Sequence, residues 1–293
     1  MTFRSGFAAV VGRPNVGKST LVNALVGQKV AIVSDKPQTT RRGIRGVLTT
    51  QDHQIVFTDT PGFHKPRTLL GARLNDVVSA SVEGVDIVLH VVDAAAGVGR
   101  GDAFVFGRQV APHDGPKVCA VNKVDRLRRH EAVPQLAAAA ELGEYDEILP
   151  VSARTGAGLA ELLEVIASRL PEGSPLYPEG EVTDQALEER LAELIREQAI
   201  RATREEVPHS IAVVVEELER EGDLTRVHAS LLVERDSQKG IVIGRGGSML
   251  RTIGTAARPE LEGVLGTRVY LDLRVKVLKE WQRDPKALDR LGL

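Results

Sequence analysis

Short apolar runs alternate with stretches of helical period through the first half of the chain. Phe7-Ala8-Ala9-Val10-Val11 is an unbroken apolar run bounded by glycine, the pattern of a buried strand. Leu21, Val22, Leu25 and Val26 then recur at the spacing of one helix face. His53–Phe57, Lys117–Val121 and Ile148–Ala153 repeat the strand pattern, and Ala137–Ala140 is a helix-favouring run. Strands separated by helical segments predict a sheet flanked by helices.

The pattern changes after residues 169–180, a stretch rich in proline and glycine that reads as a linker. Leu187, Leu191, Leu194 and Ile195 mark an amphipathic helix with Glu and Arg on its outer face. Ile211, Val213 and Val215 suggest a strand. Val227, Ala229, Leu231 and Val233 alternate with polar neighbours in a second, and Val269 to Val277 in a third with the cleanest two-residue period of the chain. Domains are expected at 1–172 and 184–293, joined by a linker at 173–183.

Candidate chemistry sharpens the first domain. Gly12-Arg13-Pro14-Asn15-Val16-Gly17-Lys18-Ser19 fits the phosphate-loop pattern and lies between a predicted strand and a predicted helix, the context that motif requires. Its glycines let backbone N–H groups curl around an anion, and the helix N-terminus adds positive potential. Lys18 is expected to reach the β- and γ-phosphates and Ser19 to ligate Mg²⁺, with Thr20 beside them among the nucleotide-binding residues.

Asn122-Lys123-Val124-Asp125 follows the Lys117–Val121 strand. A carboxylate at Asp125 accepts two hydrogen bonds from the N1–H and N2–H₂ edge of guanine, whereas adenine would leave it unpaired. Asn122 is placed to serve the other edge of the base, Lys123 to lie along its plane, and Ser152-Ala153 to offer a backbone N–H to O6. Asp59-Thr60-Pro61-Gly62 supplies Asp59 for Mg²⁺ through a water and the Gly62 N–H for the γ-phosphate. Pro37-Gln38-Thr39-Thr40-Arg41-Arg42 reads as a first switch, with Thr40 preferred to Thr39 as the metal ligand. Lys18, Thr40 and Gly62 are the groups expected to carry hydrolysis.

Phe63 stands where Ras-like enzymes place a glutamine that orients the attacking water. A phenyl ring cannot hold a water, so slow intrinsic turnover is expected, aided by a partner or a monovalent cation. Asn15 is the candidate ligand for such a cation, K⁺ being the test case.

In the second half, Ile241-Val242-Ile243-Gly244-Arg245-Gly246-Gly247 precedes a helical pattern through Met249, Ile253 and Ala257. An apolar run, G-x-x-G and a helix, set within a helix–strand–strand–helix–strand order, is the arrangement of a type II KH domain. Lys239, Ile243, Gly244, Arg245, Gly246, Gly247 and Arg251 are the candidate RNA contacts.

Charge adds a local argument only. The chain of 293 residues carries 38 Lys+Arg against 40 Asp+Glu, a formal charge of -2, so no global basic character attracts nucleic acid. From Lys239 onward, eleven basic residues face six acidic ones. A single cysteine, Cys119, lies in a predicted strand, which excludes an internal disulfide and points to a core thiol. The seven histidines show no ligand-like clustering along the sequence. Residues 1–7 lack the apolar core of a signal peptide, and no apolar stretch is long enough to span a bilayer, so a cytoplasmic location is expected.

Taken together, G-R-P-N-V-G-K-S, the Pro37–Arg41 switch, Asp59-Thr60-Pro61-Gly62-Phe63 and Asn122-Lys123-Val124-Asp125 resemble the Era family of GTPases, and the resemblance extends through the KH half. It implies a phosphate-loop Ras-like α/β mixed sheet with flanking helices, followed by a smaller α+β type II KH domain. It also implies GTP or GDP with Mg²⁺ as ligands and a monomeric switch in assembly of the small (30S) ribosomal subunit. The KH domain is then expected to grip the 3′ end of 16S ribosomal RNA. Peripheral association with the inner membrane is reported for family members, although no basic amphipathic helix or lipidation signal appears in this sequence.

Overall fold

The computed structural model describes residues 2–36, 39–66 and 68–293; Pro37 and Gln38 of the expected first switch lie outside the described residues. The chain divides into two compact units. One comprises residues 1–33, 40–67 and 71–184, the other residues 34–39, 68–70 and 185–293.

The first unit is built on a six-stranded sheet of order β2-β3-β1-β4-β5-β6. Its strands are β1 (Arg4–Val11), β2 (Ile44–Thr49), β3 (His53–Asp59), β4 (Ile87–Asp93), β5 (Lys117–Asn122) and β6 (Glu147–Pro150). Only β2 runs antiparallel to its neighbour. The central strands are buried on both faces, which is why they read as continuous apolar runs rather than alternating ones. Around the sheet lie α1 (Lys18–Val26), α2 (Leu69–Val82), α3 (Arg100–Val105, continued as one π-turn over Phe106–Val110), α4 (Arg129–Ala140) and α5 (Leu159–Arg169). Parallel order aligns the carboxyl ends of β1, β3, β4 and β5 at one edge, the position where ligands bind in sheets of this kind.

The proline- and glycine-rich stretch after α5 is bound to this unit. Ser5 N–H donates to the carbonyl of Pro171 (3.1 Å) and Gly173 N–H to that of Phe3 (3.0 Å). Gln54, fully buried, accepts from the N–H groups of Leu176 and Tyr177 (2.6 and 2.9 Å) and donates to the Tyr177 carbonyl (3.0 Å). Val47 N–H then pairs with the carbonyl of Val182 at 2.9 Å, so the chain is held as far as the close of this unit at Asp184.

The second unit contains α6 (Leu187–Ala202), α7 (Val207–Ser210), β7 (Ala212–Glu221), β8 (Leu224–Val233), α8 (Asp236–Ile243), α9 (Ser248–Leu265), β9 (Arg268–Val277) and α10 (Pro285–Arg290). β7 and β8 are antiparallel and β8 and β9 parallel, leaving β9 at an edge. Ala199, Ile211, Leu231, Val233, Val242, Ile253 and Val275 form the core beneath the helices. The Trp281 indole, fully buried, donates to the Ser210 carbonyl at 3.0 Å and ties the tail to this core.

Two sequence expectations change here. The apolar run Ile241–Ile243 is the last turn of a helix, α8, which the expected element order lacked. Gln238 accepts from the N–H groups of Glu234 and Arg235 (2.9 and 3.1 Å), so a side chain starts that helix where the apolar pattern alone shows nothing. In α6 the charged face is partly interior. Arg196 is 2% exposed and pairs with Glu193 at 2.6 Å, and the buried Glu197 pairs with Arg201 at 2.7 Å. A helix wedged between neighbours on several sides buries polar positions, and these are paired because an isolated buried charge is too costly to keep.

Candidate functional site

At the end of β1 the chain turns through residues 12–17 into α1. Asn15 and Gly17 take left-handed backbone angles, φ 64° and 100°. A Cβ on Gly17 would fall 2.5 Å from Asn122 Nδ2, and one on Gly62 would fall 2.7 Å from the Pro14 backbone. Gly62 is therefore demanded by close backbone approach, and Gly17 by its left-handed angle with the Asn122 side chain against it. Lys18 is buried at this turn, its Nζ donating to the carbonyls of Gly12 (3.1 Å) and Arg13 (3.0 Å). Burial lowers its pKa to about 8, opposed by the charge of Asp59.

Ser19, Thr40 and Asp59 come together from α1, the loop before β2 and the end of β3. Ser19 Oγ donates to Asp59 Oδ2 at 2.7 Å, Thr40 Oγ1 donates to the same oxygen at 3.0 Å, and the two hydroxyls lie 3.0 Å apart. Asp59 is fully buried, its carboxyl pKa raised by that burial and drawn back by Lys18, Ser19 and Thr40. Its Oδ1 is buried with no hydrogen-bond partner among the described residues. An unpaired acceptor beside two hydroxyls is a donor set that suits a hard divalent cation. Thr39 turns the other way, its hydroxyl donating to the Lys36 carbonyl at 2.7 Å.

Asp125 and Ser152 meet at the ends of β5 and β6, with Ser152 Oγ donating to Asp125 Oδ1 at 2.7 Å; Asp125 itself is exposed. Lys123, in a left-handed conformation (φ 67°), donates to the Asn15 carbonyl and to Asp93 Oδ2, each at 2.6 Å. Asn122 is held between the two loops. Its Nδ2 donates to the Val16 carbonyl and its Oδ1 accepts from the Ala153 N–H, both at 3.0 Å. Asn122 therefore joins the phosphate loop to the base loop, and because its amide carries two N–H donors this bridge is compatible with the expected service to an edge of the base.

Phe63 is 8% exposed, its ring stacked on Phe104 with centroids 5.5 Å apart, and its N–H donates to the Gly12 carbonyl at 3.2 Å. Thr60 Oγ1 donates to the Val10 carbonyl at 2.7 Å, fixing the Asp59–Gly62 turn against β1. Cys119 is a fully buried core residue, its thiol pushed up to about 12 by burial. His90 is fully buried beside Tyr145, 2.7 Å from its hydroxyl, and burial with Lys18 and Arg13 nearby lowers its pKa to about 3.

In the second unit, Gly244, Gly246 and Gly247 all have positive φ (72°, 58° and 76°) between α8 and α9. A Cβ on Gly244 would meet the Met249 N at 2.7 Å, while Gly246 and Gly247 face open space. Beyond the loop, a groove of about 300 Å³ is lined by Gly247, Leu250, Arg251, Gly254, Arg258 and residues 271–273. Gly247 and Arg251, two of the candidate RNA contacts, line this groove. Lys239 and Ile243 lie on α8, with Ile243 packed against the core. Arg258 and the edge strand line the same groove without being among the residues singled out from the sequence, although Arg251, Gly254 and Arg258 stand at i, i+3 and i+7 on one helix face, a stripe readable from sequence. The sheet also gathers side chains that are apart in sequence. Glu217, Glu219 and His228 bring one ligand atom each to within 4.8 Å of one another because β7 pairs Glu217 with His228. Exposed acidic groups of this kind are common without an ion.

Among the described residues no helix is long and apolar enough to cross a membrane. Residues 7–123 match a family described as "50S ribosome-binding GTPase", and residues 206–282 match the KH domain. A crystal structure of Era in complex with MgGDPNP and nucleotides 1506–1542 of 16S ribosomal RNA superposes with a TM-score of 0.96 at 39% identity, covering 99% of each chain. A tyrosine-to-alanine variant of Aquifex aeolicus Era bound to GDP.AlF4- gives the same figures, TM-score 0.96 and 39% identity over 99% of each chain. GTPase Era of Mycobacterium bovis and of Mycobacterium tuberculosis are each 54% identical over 296 residues, covering 99% of both sequences. With the phosphate loop, the base loop and the KH fold already in place, identity of that extent makes this chain a member of the Era family of GTPases.

Proposed function

We propose that the protein binds GTP and GDP with Mg²⁺, hydrolyses GTP slowly, and uses that cycle to control binding of the 3′ end of 16S ribosomal RNA during assembly of the 30S subunit. The observation that carries this reading is the convergence of the buried Lys18, Thr40 and Asp59 with the half-buried Ser19 around an unpaired Asp59 Oδ1. Ser19 and Thr40 would hold Mg²⁺ directly and Asp59 through a water. The ion supplies charge neutralisation for the phosphates when bound. Lys18 would turn from the Gly12 and Arg13 carbonyls to the phosphates, and the Gly62 N–H would meet the γ-phosphate. Asp125 would read the guanine edge with Ser152 holding its carboxyl group. Phe63 offers no group to orient a water, which accounts for slow turnover and assigns acceleration to the ribosomal particle or to a monovalent cation at Asn15.

The groove beside Gly244–Gly247 would take single-stranded RNA. Arg251 and Arg258 supply charge, Gly254 leaves the groove floor low, and β9 presents unpaired edge N–H and C=O groups to bases. Action as a monomer in the cytoplasm belongs to the same reading. Crosslinking the protein to cellular RNA in GTP-locked and GDP-bound forms tests it. Enrichment at the 3′ end of 16S RNA is expected in the GTP form and is lost in Gly246→Asp, which adds a negative charge to the loop without filling occupied space. RNA scattered over many transcripts, or equal in both forms, sinks the assembly role.

A further inference from the structure

Arg13 is the second residue of the phosphate loop, yet its side chain turns away from the loop towards α3. Its Nε donates to Asp102 Oδ1 at 2.7 Å and its second guanidinium nitrogen to the Gly97 carbonyl at 3.3 Å. Asp102 is fully buried, and its other oxygen accepts from the Gly99 N–H at 2.9 Å. A buried carboxylate holds its counter-charge tightly, because losing the partner strands an uncompensated ion. The backbone of the same Arg13 carries a carbonyl to which Lys18 Nζ donates at 3.0 Å. Asp102, Arg13 and Lys18 therefore form one chain of contacts from α3 into the phosphate loop. Gly101 makes the seat for this chain: a Cβ there would come 2.4 Å from Arg13 Cδ.

We propose that Asp102 is a positioning residue for nucleotide binding, latching Arg13 so that the loop backbone and Lys18 are set for the phosphates before the nucleotide arrives. The inference rests on the guanine-nucleotide reading of the site. It differs from a plain structural ion pair in what it predicts for Gly101. Alanine is the better helix former, so Gly101→Ala should not weaken α3. It should, however, displace the Arg13 side chain.

The test is equilibrium binding of Mg·GDP to the full chain, with thermal unfolding measured in parallel, for the wild type, Asp102→Asn, Arg13→Gln, Gly101→Ala and the Asp102→Asn/Arg13→Gln double variant. Each single variant is expected to lose roughly 10-fold or more in GDP affinity, as small misplacements of a binding loop do. The double variant should lose no more than the worse single one, because the two residues act as one unit. Gly101→Ala should lose affinity out of proportion to any fall in its unfolding temperature, whereas a merely structural ion pair would lower the unfolding temperature and leave the GDP affinity of the folded protein unchanged. Should Asp102→Asn fail to fold, Arg13→Gln and Gly101→Ala still decide the matter. Affinities within about twofold of wild type in both, or losses that simply add, overturn the latch. Wild-type protein that fails to bind GDP overturns the nucleotide-site reading itself, a separate and recognisable outcome.

Discussion

Lys18 is held in a buried position with its pKa lowered to about 8 by desolvation, and this has a consequence for pH. Phosphates in contact with the ammonium would raise its pKa in the bound state, so binding takes up a proton wherever free Lys18 is neutral. Below pH of about 8 the lysine is charged in both states and contributes no slope. Above it, GDP affinity should fall, approaching about tenfold per pH unit for a single coupled proton. Isothermal titration across pH 6.5 to 9.5 measures this, and a flat profile would place Lys18 away from the phosphates. Asp125 invites a second test at this scale. Asp125→Asn keeps an acceptor for the Ser152 hydroxyl but replaces the charged partner of guanine. GTP affinity is expected to drop by roughly 100-fold while xanthine nucleotide gains; competition binding reads both, and undiminished GTP binding would remove Asp125 from the base pocket.

Single elements decide whether these residues meet. The turn from β1 into α1 and the end of β5 approach so closely that Asn122 bridges the Val16 carbonyl and the Ala153 N–H at 3.0 Å each. Gly17 leaves the space for that bridge, with φ 100° and no side chain. Gly17→Ala would place a methyl group 2.5 Å from Asn122 Nδ2 in a backbone region that L-residues avoid. Loss of GDP affinity by about 100-fold is expected with the secondary structure retained. Circular dichroism alongside a binding assay separates this outcome from unfolding. At the same scale, α8 and the buried charges of α6 show where periodicity stops informing. An i, i+3, i+4 pattern locates the face that packs first, but not a second face covered by other elements.

At the scale of the molecule, the proposed nucleotide and RNA sites lie on one chain, in two units. If GTP favours the RNA-binding state, linkage requires RNA to tighten GTP binding by the same factor. Titrating a 16S 3′-end oligonucleotide against the GTP-analogue and GDP forms, and each nucleotide against the RNA complex, should return equal coupling factors. Identical affinities in both nucleotide states would end the switch mechanism. RNA affinity should also fall with salt, but gently, since the local excess of basic residues is small and the formal charge of the chain is -2.

Much of this protein was legible in its sequence, for a physical reason. The phosphate loop, the Asn122–Asp125 loop and the Gly244–Gly247 loop each need particular backbone freedom and particular side chains within a few consecutive residues, so their chemistry is written locally. The two-residue period of β9 and the continuous apolar runs of β1 and β5 likewise follow from the faces each strand buries, whereas β4, interrupted by His90, was not read from the sequence. What the tertiary structure decided were pairings across the chain, which depend on strand order and register. Only the fold turns Thr40 towards Ser19 and Asp59 while Thr39 donates to Lys36, and only the fold engages both ends of Asn122 with protein. The same holds for Asp102 meeting Arg13 from 89 positions away. Spacing along a chain carries no record of which distant backbone will arrive beside it; packing supplies that, and with it the difference between a motif and a site.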